Sequence, residues 1–510
     1  MTETTTTDAL SQRHRLLGGV LGQLGVTGLS VAQQILFVPL FVKMWDADQY
    51  ASWLILFSLS ALIAIADFGL HPLSINKYQA SLALPGRRAQ AALSRDVREI
   101  INAYVMNAVL IAVAFGLVIL LIDPVTKLGL KGATPLALSG AVVLSVGSGI
   151  VVNFTSGCSA VYRAHLELAR VMIARLLIQI AQIIGQAWIL LSQSSIFAMA
   201  LMFFIINVAA VCYMCAIDIP HFARIRPGAW WKFSWQKQAR TMGSALPFVI
   251  PSAADSIFNQ GPVFILGLVG ASPLSIIIFN LSRVVAAVPR MLVQQLCGLL
   301  GPEIGATYVR DEKGGVRANL QIALTMSAVI IGVSSGAMVG LIRPLYEFWT
   351  LKAVPFDAVT LGLMLGALVL SSHTFAAVAA LLYCNQPGLV TKLQLVRIGT
   401  SCVLVAVLGR MWGAPGAAGG LFISEAIASA GPFAWALVER FSMQWRDMLL
   451  WSVVPALLWL VVFAALSFAL SYAVDVHSTA GLAAATLIVA CAAATAGYRE
   501  FHRVQAAFGG

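Results

Sequence analysis

The feature that most constrains this chain is a succession of apolar runs, each long enough to cross a bilayer and each followed by a loop too short to fold by itself. Fourteen are read, at roughly 17–43, 50–77, 101–123, 134–158, 170–192, 195–217, 242–269, 274–302, 319–343, 356–384, 391–411, 415–438, 448–472 and 478–498. A hydrocarbon core takes about 20 helical residues, and backbone in lipid must satisfy its own hydrogen bonds, so runs of this length fold as helices. The chain is 59% hydrophobic and 10% charged, whereas soluble domains carry about 25% charged residues. The predicted fold class is an all-α polytopic membrane protein.

The net charge of +11 raises a nucleic-acid partner as one explanation, but orientation accounts for it. With a cytoplasmic N-terminus, 24 of the 32 Lys and Arg residues fall on the inside. Six fall outside (Lys43, Lys127, Lys131, Arg343, Lys352 and Arg410), and Arg283 and Arg290 lie in neither set. A bias of this size places both termini in the cytoplasm and needs no nucleic acid.

The longest inside segment is basic and aromatic, with Arg224, Arg226, Trp230, Trp231, Lys232, Trp235, Lys237 and Arg240. It is expected to lie along the headgroups. It divides the chain into a six-helix lobe at 1–217, a cytoplasmic linker at 218–241, a second six-helix lobe at 242–440, and two further helices with a tail at 441–510. A shift of 230 residues aligns Pro72 with Pro302, Tyr78 with Tyr308 and Ser52 with Ser282. Helices two and eight are thus expected to end alike, as members of an internal repeat.

Polar residues inside the apolar runs fall into stripes. The seventh helix carries Pro247, Pro251, Asp255 and Asn259, one every fourth residue and so on one face. The eighth carries Asn280, Arg283, Arg290 and Gln294, again on one face. Charge at membrane depth is costly, so such faces point into a wet or protein-lined space. Two arginines there form an anion site and imply a carrier of negatively charged cargo. Helix one carries Gln23, Thr27, Ser30 and Gln34, and helix five carries Arg175, Gln179, Gln182 and Gln186, with the same spacing. Glutamine stripes also hold bundles together by interhelical hydrogen bonds, and Arg175 is near enough to its helix end to snorkel.

Asp67 and Asp255 lie about a dozen residues from the inner ends of their helices, roughly 15–20 Å deep. Both are candidate proton or sodium coupling sites, and Asp255 is at the depth of Arg290, where a structural ion pair is the competing role. His71 and His373 are expected to hydrogen-bond locally, and Glu425 has no role legible in the sequence.

No catalytic constellation, metal-ligand set or cofactor motif is read. Cys212 and Cys215 form a C-x-x-C inside an apolar helix with no second pair, and the seven cysteines look like small apolar residues. Asp46-Ala47-Asp48 is a D-x-D of the kind that membrane glycosyltransferases use, but its loop spans barely eight residues, so these are expected to be solvated loop charges. No Walker A pattern is present.

The first eighty residues then carry a recognisable pattern. Val38-Pro39 ends helix one, Gln49-Tyr50-Ala51-Ser52-Trp53 opens helix two, and Ala66-Asp67-Phe68-Gly69-Leu70 closes it. With the helix count, this resembles the Wzx-type polysaccharide-export flippases of the multidrug/oligosaccharidyl-lipid/polysaccharide (MOP) superfamily. The resemblance implies two six-helix lobes around a central cavity lined by helices one, two, seven and eight. It implies transport of an undecaprenyl-diphosphate-linked oligosaccharide to the outer leaflet of the bacterial inner membrane, with glycosyltransferases and a glycan polymerase as partners. Arg283 and Arg290 would meet the diphosphate; Gln294, Asn280, Asn259, Gln23 and Gln34 would meet sugar hydroxyls; Pro247, Pro251 and Pro262 would act as hinges. A lipid II flippase and a drug/cation antiporter of the same superfamily are the alternatives, and a membrane glycosyltransferase or polymerase is the rival from another class.

Overall fold

The computed structural model describes residues 22, 25–26, 28–30, 32–165, 167–192, 195–223, 233–310, 313–474 and 478–506. Among these residues every regular element is helical. The chain forms two compact units, Met1–Leu268 and Val269–Gly510. The division falls one helix later than the basic linker at 218–241, because the helix Val249–Leu268 packs on Ala47–Ala64 of the first unit.

In the first unit α1 is Gly28–Met44, followed by α2 (Ala47–Ala64), α3 (Leu70–Leu82), α4 (Arg87–Leu121), α5 (Pro135–Ala164), α6 (Leu168–Leu191), α7 (Ile196–Tyr213), α8 (Trp235–Ala245) and α9 (Val249–Leu268). Helix starts are set by side-chain caps that take up otherwise unsatisfied backbone N–H groups. Asp46 accepts from Gln49 N at 2.7 Å and Ser195 from Ala198 N at 3.3 Å. The D-x-D is thus a helix start: Asp46 caps α2 and Asp48 sits in its first turn.

The second helix, expected to be continuous over 50–77, is broken. Phe68 and Gly69 take φ of 50° and 76°, and α3 begins at Leu70. Asp67 Oδ1 accepts from Gly69 N at 2.9 Å and Oδ2 from His71 N at 3.1 Å. Carbonyls beside the break also accept from side chains: Asn153 Nδ2 donates to Ile63 O at 3.1 Å and Asn107 Nδ2 to Ala66 O at 2.8 Å. A Cβ on Gly69 would lie 2.4 Å from Ala245 O, so the break seats against the junction of α8 and α9. The matching positions of the proposed repeat, Cys297, Gly298 and Leu299, stay helical, and the chain continues through Pro302 to Val309. Helices two and eight therefore do not end alike: no left-handed glycine stands at the second position of the pair.

α4 starts well before its apolar run. Its charged first turns are held at the end of the unit, where Lys77 Nζ and Thr241 Oγ1 both donate to Glu99 Oε1 at 2.6 Å, joining α3, α4 and α8. Beneath them lies a core that includes Leu70, Tyr78, Leu93, Ile100, Tyr104 and Tyr162.

In the second unit α10 is Pro273–Val309, α11 Lys313–Trp349, α12 Ala358–Leu370 and α13 Ser372–Tyr383; the last two form one span bent by 43°. The helical run Pro387–Ser424 is interrupted at Gly413 (φ 62°, ψ −131°). The chain reverses there, giving α14 (387–412) and α15 (414–424) as a hairpin so close that a Cβ on Gly416 would lie 1.9 Å from Leu408 O. α15 continues through a π turn, Glu425–Ala430, into Gly431–Arg440.

The chain closes with α16 (Val454–Ala473) and α17 (Thr479–Ala506). α16 packs on a glycine face of α11. A Cβ on Gly332, Gly336 or Gly340 would lie 2.4, 2.4 or 2.5 Å from backbone atoms of Ala456, Leu460 or Ser467. Close backbone approach through small residues is the usual adhesive between helices in lipid. Ser467 Oγ reinforces it, donating to Gly336 O and accepting from Gly340 N, each at 3.1 Å.

Among the described residues ten helices are long and apolar enough to span a membrane, eleven with the bent pair. The reversal at Gly413 divides one of them. The shorter α1, and α9 with its polar Asp255, Asn259 and Gln260, lie on two further runs of the expected fourteen but fall short of the length or hydropathy of a span among the described residues.

Candidate functional site

α9 carries Asp255 and Asn259 one turn apart, and Asn259 Nδ2 donates to Asp255 Oδ2 at 3.2 Å. Of the three expected hinges, Pro247 lies at a break, the single 3-10 turn Leu246–Phe248 between α8 and α9. Pro251 is in the first turn of α9, where proline is tolerated, and Pro262 lies within a helix that runs on to Leu268.

α10 is one helix from Pro273 to Val309, so its polar stripe keeps a single face. Arg283 Nη2 donates to Asn280 Oδ1 at 2.6 Å, one turn back. Arg290 is buried, its guanidinium 5.7 Å from the centre of the Phe375 ring on α13. Gln294 is half-buried on the next turn. The stripe brings two cationic side chains and two amides to one face of α10, with Asn280 accepting from Arg283.

The first unit holds a cavity that the sequence only hinted at. It has a volume of about 390 Å³ and lies between α1, α5, α6 and α7. The helix-five stripe faces it: Arg175, Gln179 and Gln182 line the wall, opposite Ser30 and Gln33 of α1. Gln179 Nε2 donates to Ser30 Oγ at 2.8 Å and to Gln33 Oε1 at 3.3 Å, and Gln33 Nε2 donates to Gln186 Oε1 at 3.0 Å. Gln182 Nε2 donates to Asn207 Oδ1 at 3.3 Å, and Asn207 Nδ2 to Ser148 Oγ at 2.8 Å. The glutamines thus both hold helices together and line a polar space.

On α1, Ser30 of the expected stripe lines this cavity together with Gln33, a residue outside that stripe. Gln33 faces the cavity with Ser30, whereas Gln34, about 100° further round the helix, is not among the lining residues. Gln23 lies outside the described residues, as does the basic stretch 224–232. Thr155, Ser156 and Ser159 of α5, which also line the cavity, were not singled out in the sequence. Their i, i+1, i+4 spacing on one face is a weak signal, because serine and threonine also satisfy helix carbonyls locally, as Ser159 Oγ does with Ser156 O at 2.8 Å.

His71 and His373, expected to hydrogen-bond locally, instead bond to backbone of distant segments: His71 Nδ1 to Ser156 O at 2.9 Å and His373 Nε2 to Ala430 O at 2.8 Å. Among the described residues no group of three or more His, Cys, Asp or Glu side chains is arranged to hold a metal ion. Glu425, which had no role in the sequence, pairs with Arg397 across the Gly413 hairpin.

These observations define a multi-pass helical membrane protein whose charged and amide side chains are gathered on particular helix faces. Its fold is similar to those of solved transporters, among them members of the MOP superfamily. The lipid II flippase MurJ, in an inward closed conformation, superposes with a TM-score of 0.67 at 11% identity, covering 94% of this chain and 99% of that one. A multidrug resistance MATE family transporter of the MOP superfamily, in an inward-facing conformation, gives 0.61 at 14% identity, covering 82% of this chain and 94% of that one. No family model and no curated protein matches the sequence. The likeness is one of fold, with transporters of the superfamily that the sequence resemblance implied, and it does not single out the Wzx-type flippases.

Proposed function

We propose that the chain is a flippase that carries an undecaprenyl-diphosphate-linked oligosaccharide from the cytoplasmic to the outer leaflet of a bacterial inner membrane, by alternating access. The supporting observation is the polar face of α10. Arg283 and Arg290 stand two turns apart, flanked by Asn280 and Gln294, on a helix of a transporter fold. Arginine suits a diphosphate because its planar fork donates two parallel hydrogen bonds and keeps its charge when desolvated. Asn280, which orients Arg283, and the amide of Gln294 suit the sugar that follows. The same face opposes a cationic drug, which would be repelled at both positions. In this reading glycosyltransferases supply the substrate and a polymerase consumes it.

The test is Arg283→Ala in the producing cell. Membrane abundance stays near wild type, surface glycan is lost, and lipid-linked precursor accumulates on the inner leaflet. Arg283→Lys restores export in part, since an ammonium keeps charge and loses the fork. Full export by Arg283→Ala overturns the assignment, and loss of the protein itself makes Arg283 a structural residue. Accumulation of lipid II in place of a surface-glycan precursor would favour the lipid II reading.

A further inference from the structure

The cavity of the first unit has a charge balance that helix packing does not account for. Arg175 lines it, exposed to its interior. Arg163, near the end of α5, is close enough for the two guanidinium charges to repel. His71, behind the same wall, lies within the field of both. Among the described residues neither arginine forms an ion pair; the pairs of the first unit are Lys77–Glu99, Arg95–Asp96 and Arg170–Asp218. Asp67, four residues before His71, has its carboxylate taken up by the N–H groups of Gly69 and His71.

Like charges held together in a low-dielectric surround raise the local potential and concentrate an anion there. The remainder of the wall is neutral and rich in hydrogen-bonding groups: Gln33, Gln179, Gln182, Thr155 and Ser159. A volume of about 390 Å³ is in the range of small-molecule sites. Val26, Val152, Val171, Ala174, Ile178 and Met214 complete the wall and suit the carbon skeleton of an organic ligand, whereas a bare inorganic anion would leave most of the hydrogen-bonding groups unused.

We infer that this cavity is an oxyanion site for a hydroxylated molecule, taking the carboxylate or phosphate of an acidic sugar on Arg175 and its hydroxyl groups on the glutamine and hydroxyl wall. Arg163 acts through the field it adds and not by contact. The inference goes beyond the flippase reading: it concerns binding by the first unit, and the α10 arginines play no part in it.

The experiment is equilibrium binding of radiolabelled glucuronate and glucose 1-phosphate to the purified full-length chain in detergent at constant ionic strength, with glucose as the neutral control. Saturable binding of at least one acidic sugar is expected, with glucose bound at least about tenfold more weakly; the tighter of the two acids identifies the group as carboxylate or phosphate. Arg175→Gln should weaken binding at least tenfold and Arg175→Lys by less. Thr155→Leu, which fills the cavity without altering its charge, should weaken it comparably and decides the matter if Arg175→Gln does not fold. Glucose binding as tightly as the acids, or acid binding unchanged in Arg175→Gln or in Thr155→Leu, overturns the inference. Export by Arg283→Ala is read in cells and sugar binding by Arg175→Gln on purified protein, so either reading can fail alone.

Discussion

Arg397 and Glu425 stand on opposite arms of the hairpin that turns at Gly413, and they form an ion pair whose side chains are 4% and 1% exposed. Arg397 Nε donates to Glu425 Oε1 at 2.9 Å, Nη2 donates to the same oxygen, and Thr400 and Ser424 hydroxyls meet at 2.9 Å one turn away. Glu425 opens the π turn of its arm, so the irregularity in the helix coincides with the residue that pairs.

Removing one partner deprives the other buried charge of the ion pair that offsets its desolvation. Glu425→Gln is expected to destabilise the protein by about 3–5 kcal/mol, and Arg397→Met with Glu425→Leu to recover most of that loss. Thermal unfolding of the detergent-solubilised chain measures both. A double variant as unstable as the single one would show that the pair does more than replace packing.

Asp67 is first of all the cap of a broken helix. Asp67→Ala should cost about 1–2 kcal/mol and Asp67→Asn, which keeps an acceptor, less. Equal losses from the two substitutions would mean that the negative charge, not the hydrogen bonds, is what the break requires.

Asp255 bonds to Asn259 on α9 and is the proposed coupling residue. Asp255→Asn is nearly isosteric and cannot titrate. It should accumulate normally and flatten the pH or sodium dependence of export. Normal export with an unaltered response to both eliminates the coupling role.

Gly336 touches the backbone of α16. Gly336→Leu forces the two helices apart and should cost about 3 kcal/mol, the upper end for overpacking. Tryptic cleavage at the exposed Arg446, just before α16, should accelerate in parallel with the fall in melting temperature. A variant with wild-type stability would mean that α16 is held by other contacts.

Topology has a direct check. The 24-to-6 bias of Lys and Arg places the segments after Arg240 and after Asp475 on opposite sides of the membrane, Arg240 inside. An outside reporter signal after Arg240 would invert the reading of every helix.

The sequence by itself determined that the chain is a helical membrane protein and which helix faces carry polar groups. These are local properties: hydropathy is summed along a run, and a face follows from the 3.6-residue repeat, so Arg283 with Arg290 and Arg175 with Gln179 could be paired without knowing what lies opposite. The tertiary structure alone decided what depends on a partner distant in the chain. Phe68 and Gly69 break helix two at positive φ where Asp67, Asn107 and Asn153 bond to backbone groups beside the break. Gly332, Gly336 and Gly340 have meaning only against the backbone of α16. Glu425 had no reading until Arg397, 28 residues away, was placed beside it. The cavity around Arg175 likewise required α1, α5 and α7 to bring amides and hydroxyls to one wall. Pairing across helices is set by packing geometry, which a one-dimensional pattern does not encode.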